Sequence, residues 1–207
     1  TFTGALDVST TSSFDGGAVG IDGAATFTGV ATVEDVTVTA SNSITASAGM
    51  ILGHASAILK VDNASAVTIS GTIEGETSAG AEGKLDVANT ALATFSGALG
   101  GSDAAAQLKE IDVNNNASAT FSSTVDAATI TVEGTATFTG VATGTTIDLN
   151  GGDAHFTAAL TETASASSSI NIDATSRATF NFGHATAGSS NIIDTVTTAA
   201  AGVIELT

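Results

Sequence analysis

One spacing constrains this chain more than any other feature. Eight times, two aliphatic residues flanking a single residue are followed by an apolar residue set among small, hydroxylated neighbours. The first halves are Val19-Gly20-Ile21, Val36-Thr37-Val38, Leu59-Lys60-Val61, Leu85-Asp86-Val87, Ile111-Asp112-Val113, Ile130-Thr131-Val132, Ile147-Asp148-Leu149 and Ile170-Asn171-Ile172. The second halves centre on Phe27, Ile44, Ile69, Phe95, Phe121, Phe138, Phe156 and Phe180. From the first aliphatic residue to its apolar centre the separation is always eight to ten residues. The spacing from one Phe to the next varies more, as in 17 from Phe121 to Phe138, 18 from Phe138 to Phe156 and 24 from Phe156 to Phe180, so length changes fall after the Phe. A unit recurring in one order is the mark of a repeat architecture.

Both halves alternate apolar and polar with period two, which is the strand pattern. Val, Ile, Thr and Phe favour strands, and Ala here sits beside Gly and Ser rather than in helical runs. Only Asp103 to Glu110 has weak helical character, and it reads as an insertion loop or a single turn. Proline is absent, so Gly, Ser, Thr and Asn make the turns. The expected fold is all-β, a β-solenoid of roughly eight irregular coils forming one repeat-built domain over residues 1–207. Coils stacked ~4.8 Å apart would stand roughly 40 Å tall. A β-sandwich is the alternative, because it also shows short strands every eight to twelve residues.

In a solenoid, equivalent positions stack into ladders. The outward ladder of the first half reads Gly20, Thr37, Lys60, Asp86, Asp112, Thr131, Asp148, Asn171. Asp86 and Asp112 would be neighbours and would repel. Lys60 beside Asp86 offsets part of that repulsion, and a bound cation could offset the rest. Calcium suits hard oxygen ligands. Asp86, Asp112 and Asp148 are the candidate ligands, set against the simpler reading of solvated surface aspartates. The glycine-rich calcium-binding nonapeptide is absent, with only fragments at Asn150-Gly151-Gly152-Asp153 and Asp15-Gly16-Gly17.

The second half places hydroxyl pairs about its centre, such as Thr26 and Thr28, Thr120 and Ser122, and Thr137 and Thr139. A Thr array of this kind resembles ice-binding β-solenoids. The simpler reading is that Thr is a good strand former whose cross-strand pairs stabilise sheets. Asn63-Ala64-Ser65 and Asn116-Ala117-Ser118 match the N-glycosylation tripeptide, but Asn is also the ordinary residue for the turns they occupy.

No catalytic constellation emerges. His54, His155 and His184 fall in different units without partners at metal-ligand spacing. No glycine-flanked nucleophile turn and no phosphate loop is present. Without Trp or Tyr, and with four basic residues, little is available to clamp or stack a sugar. The expectation is a protein that is not an enzyme.

The formal net charge of −17, from 21 acidic residues against four basic ones, disfavours nucleic acid and anionic lipid as partners. With no cysteine there is no disulfide framework. No apolar run reaches membrane-spanning length. No charged n-region followed by an apolar stretch opens the chain, so any signal peptide is expected to be already gone. Thr1-Phe2-Thr3-Gly4 reads as the second half of a unit, so the N-terminus looks cut from something longer. Gly202-Val203-Ile204-Glu205-Leu206 reads as a strand without a following cap.

The phrase Ala-Thr-Phe-Thr-Gly-Val occurs at Ala25 to Val30 and again at Ala136 to Val141. It resembles the repeats of bacterial S-layer proteins and autotransporter-type surface proteins, and those of marine phage appendage proteins. The resemblance covers most of the chain. It implies an array- or filament-forming structural role outside the cell and brings no functional residues to carry over. The expected partner is a second copy, met through the terminal residues Thr1, Phe2, Thr3, Val203, Ile204 and Leu206, since open strand edges pair readily. The competing reading is an adhesin or phage-fibre segment that binds a cell-surface glycan or host surface.

Overall fold

The computed structural model describes residues 1–76, 80–101, 106–158, 160–162, 169–180, 196–198 and 203–206. Among these residues the chain is all-β, in three parallel sheets whose strands stack in sequence order. Every strand pairing is parallel, whereas a β-sandwich pairs its strands antiparallel.

The first sheet holds the Phe strands. It runs from Leu6–Val8 through Ala25–Phe27, Ile44–Ala46, Val67–Ser70, Leu92–Phe95, Ser118–Phe121, Thr135–Phe138, Asp153–Phe156 and Arg177–Phe180 to Val203–Leu206. The second holds the aliphatic strands, from Ala18–Ile21 to Val196–Thr198. The third begins with Ser12–Phe14, Ala31–Val33, Met50–Leu52 and Ile73–Gly75. Isolated bridges carry its line from Ile73 to Leu99 and on to Val125. There it merges into the long strands Val125–Val132 and Ala142–Leu149, against which Leu160–Glu162 pairs. The chain thus passes from aliphatic sheet to Phe sheet to third sheet before returning.

The long strands show how a sequence turns from one sheet into the next. Val125 and Ala127 are buried, as are Ile130 and Val132, but Ala128 and Thr129 are both partly exposed. Two outward residues in succession break the period of two, and the inward face changes direction there. Thr145 and Thr146 do the same in Ala142–Leu149. Lys109 and Glu110 do so in Leu108–Val113. The region read as a loop or turn, Asp103 to Glu110, is therefore strand from Leu108 onward; 103–105 lie outside the described residues. Leu108 is fully buried, and that burial overrides the weak helical character.

The core is the inward column of each sheet. Phe95, Phe121, Phe138, Phe156 and Phe180 form one stack, with centroids 4.8 to 5.2 Å apart and ring planes within 21°. Parallel in-register pairing sets this spacing, because each Phe sits one strand above the last. Phe27 stands apart and meets Phe14 edge-on at 5.9 Å.

Two registers differ from the repeat alignment. Phe27 pairs with Ala46, and Ile44 pairs with Ala25 below and Ile69 above. On the aliphatic sheet Val38-Thr39-Ala40, rather than Val36-Thr37-Val38, lies over Val19-Gly20-Ile21. Both are two-residue shifts, which leave every side chain on its original face. The first sets Ala46 beside Phe27, a small residue against a large one.

The end turns also differ. Phe2 bridges Ile21 at the aliphatic sheet, so Thr1–Thr3 occupy a first-half place, and Leu6–Val8 is the second half beneath Ala25–Phe27. With Leu6–Val8 and Val203–Leu206 included, the Phe sheet has ten strands rather than eight. The two added strands, Leu-Asp-Val and Val-Ile-Glu-Leu, lack the apolar centre set among small hydroxylated residues, and the repeat pattern passes over them.

The glycine of the Thr-Phe-Thr-Gly phrase has a steric reason. A Cβ on Gly140 would lie 2.2 Å from the Ser123 carbonyl oxygen, and one on Gly97, which closes the related Thr94-Phe95-Ser96-Gly97, would lie 1.9 Å from that of Gly71. After the Phe strand the backbone of one turn rests on the turn below, and no side chain fits between them.

Candidate functional site

The aliphatic sheet carries the charge ladder, in the order Thr39, Lys60, Asp86, Asp112, Thr131, Asp148, Asn171. Asp86 and Asp112 are in direct register, as their spacing predicts. Thr131 separates Asp148 from them. Among the described residues, no three Asp, Glu or His side chains gather where they could hold a metal ion.

Compensation of the aspartates comes largely from groups the ladder reading did not assign. Lys84 Nζ lies 2.8 Å from Asp112 Oδ2 and 3.0 Å from Glu110 Oε1. Asn114 Nδ2 donates to Asp86 Oδ1 at 2.7 Å. Lys60 stands in register with Asp86 but turns its ammonium to Asp62, 2.8 Å away. Burial works against the Lys84 ammonium, yet the hydrogen bonds it donates to Asp112 and Glu110, with their charges, outweigh it and hold the pKa above its ordinary 10.5. Lys60 is also raised, first by its hydrogen bond to Asp62. Lys84 lies two residues before Asp86, in the adjacent outward column, and period two applied one step further back would have found it.

A second polar cluster lies where the third sheet meets the aliphatic one. Gln107 is nearly buried and donates from Nε2 to Asp126 Oδ1 at 2.6 Å. Burial pushes the Asp126 carboxyl above its ordinary pKa, partly opposed by that hydrogen bond.

The corner between aliphatic and Phe strands is closed by asparagines. Asn42, Asn63 and Asn89 each donate from Nδ2 to a carbonyl of the preceding turn: Asp22, Ser41 and Ser65, respectively. Asn63 Oδ1 also accepts from the Ser65 amide at 3.1 Å. Its side chain therefore serves the turn, the simpler of the two readings of Asn63-Ala64-Ser65. Asn116 is exposed, with φ of 65°, a left-handed turn conformation that Asn tolerates. Further along the stack, Asp173 accepts from the Ser176 hydroxyl and the Thr175 amide, which hold its pKa below the usual carboxylate value.

On the Phe sheet the outward column Thr68, Thr94, Thr120, Thr137, His155, Thr179 is in continuous register. The flanking hydroxyls are engaged in the stack itself. Thr28, Thr139 and Thr157 donate to the carbonyls of Val8, Phe121 and Phe138 on the adjacent strand, at 3.1 to 3.2 Å. His54 accepts the Ser56 amide and lies 3.7 Å from Asp35, His155 is exposed, and His184 lies outside the described residues.

The assembly candidates fall at two sheet ends. Thr1, Phe2 and Thr3 are exposed, Phe2 at 44%. Val203, Ile204 and Leu206 lie in the last strand of the Phe sheet, over Arg177, Ala178 and Phe180. Val203 is 43% exposed, and Arg177 reaches Glu205 across 3.7 Å. No helix among the described residues is long and apolar enough to cross a membrane.

What fold and surface define is an all-β stack of parallel strands, with an acidic ladder on one sheet in which Asp86 and Asp112 have polar partners, and a hydroxylated face on another. No family model, curated protein or solved structure matches the chain.

Proposed function

We propose that this chain is a β-solenoid and serves as a structural subunit of an extracellular assembly, an S-layer, surface filament or sheath, in which copies associate through strand edges. The observation that carries this reading is the in-register parallel stacking of all three sheets, whose end strands have one neighbour each among the described residues. Among the described residues, Leu6–Val8 and Val203–Leu206 stand at the two ends of the Phe sheet. Their outer backbone groups offer a template that another strand of the same pleat fits. A head-to-tail contact of this kind propagates unless a rotation closes it. The side chains fit a scaffold: stacked Phe in the core, asparagines at the corners, and ladder charges met by neighbours.

Electron microscopy of the purified protein, with and without a calcium chelator, tests the reading. Ordered filaments or sheets are the expected result. Their dissolution by chelator would add a cation role for Asp86, Asp112 or Asp148, and indifference to it would remove calcium. Dispersed monomers in both conditions would overturn the assembly reading.

A further inference from the structure

Charge is distributed unevenly over the strands of this molecule: those of the third sheet carry only Glu74, and the longest uncharged run lies on the Phe sheet. Six consecutive strands of the Phe sheet, from Ala25–Phe27 to Thr135–Phe138, contain no charged residue. Asp7 precedes this run, and Asp153 follows it. In a chain of net charge −17, these six strands together present an uncharged surface. The aliphatic sheet, by contrast, carries Glu82, Asp86, Glu110, Asp112, Asp126 and Asp148 together with Lys60, Lys84 and Lys109 on its strands.

We infer that the uncharged Phe-sheet face is the lateral contact between copies of this chain, side by side within the assembly. The inference rests on the assembly reading above. Two copies meeting through their aliphatic sheets would take carboxylates and ammonium groups alike out of water, and that desolvation is costly. Two copies meeting through the Phe sheets would bring together Thr94, Thr120 and Thr137, which carry no charge to desolvate. Threonine also has little side-chain freedom to lose on contact. Leu92 lies within this face, beside Ser118, and is 43% exposed, a large apolar group whose burial favours contact.

The size of the face sets the kind of contact. Six strands at ~4.8 Å, each about four residues wide, give roughly 350 Å² per copy. A stable free-standing dimer buries about 800 Å² per partner. This face alone therefore makes a weak pair. It becomes effective when end contacts already align the copies, because the second contact is then intramolecular within the array. The same patch meeting itself gives a two-fold contact.

Leu92→Glu tests this. It places a charge at an exposed position of the face, with Thr120→Glu as a second variant. Thr39→Glu is the control: the same added charge, on the aliphatic sheet and in register with Lys60. Melting curves establish that each variant is folded, and electron microscopy with sedimentation reads lateral association. Wild type and Thr39→Glu should form laterally joined filaments or sheets. Leu92→Glu and Thr120→Glu should form single-file filaments, with lateral association weakened at least tenfold. Lateral association of both face variants at the wild-type level would overturn the inference. Single-file filaments from the wild type would overturn it too, while leaving the assembly reading intact. Monomers from the wild type would overturn both.

Discussion

The Lys84 ammonium and the Asp112 carboxylate, on adjacent strands, lie 2.8 Å apart, while Asp86 on the strand of Lys84 stands in register with Asp112. One lysine thus sits between carboxylates that would otherwise face each other uncompensated. Lys84→Met should destabilise the fold by about 1–2 kcal/mol, because it leaves Glu110 and Asp112 without their partner in a partly buried setting. Lys84→Met with Asp112→Asn should recover part of that loss. Denaturant midpoints of the single and double variants check this, and a double variant no better than the single would refute it. The folded pKa of Lys84 is raised, so its contribution is complete below the unfolded value near 10.5 and is lost as pH rises through the folded value.

Phe138 lies between Phe121 and Phe156, with centroids 4.9 and 4.8 Å away. Phe138→Ala should cost about 3–5 kcal/mol, through lost burial and the cavity left inside the stack. Phe138→Leu should cost less, since it keeps most of the volume. Thermal or denaturant unfolding measures both, and equal losses would show that volume is not what the stack requires.

Gly97→Ala should destabilise by about 1–3 kcal/mol, because the new Cβ must displace backbone. Gly4→Ala meets nothing within 4 Å and should be close to neutral. Comparison of the two midpoints separates close backbone approach from a general glycine effect.

Asp126 titrates in the opposite sense to a paired carboxylate. Its folded pKa is raised by burial, so folding is most favoured below the unfolded value near 3.8 and loses that advantage as pH rises through the folded value. Asp126→Asn removes the buried charge and retains an oxygen to accept from Gln107. It should be more stable than wild type at pH 7 and close to it at pH 3. Paired denaturant titrations at the two pH values provide the check, and an Asn variant weaker at pH 7 would contradict the assignment.

Much of this was legible because side-chain alternation is local. Asp86 beside Asp112 followed from equal positions in equal units, as did the stack from Phe95 to Phe180. Lys84 was missed because it occupies the next outward column, two residues before the repeat signature. Leu108 to Glu110 was read as a loop or turn because Ala, Gln and Lys nearby favour helix, and only its burial made it strand.

The sequence by itself determined strand character and which face of each strand is buried, since a period of two requires no knowledge of neighbours. Only the tertiary structure decided register and direction. A shift of two residues preserves every inward position, so nothing local distinguishes Phe27 over Ala46 from Phe27 over Ile44. Packing volume across the stack makes that choice. It also places Phe2 on the aliphatic sheet, brings Lys84 to Asp112, and gathers six uncharged strands into one face.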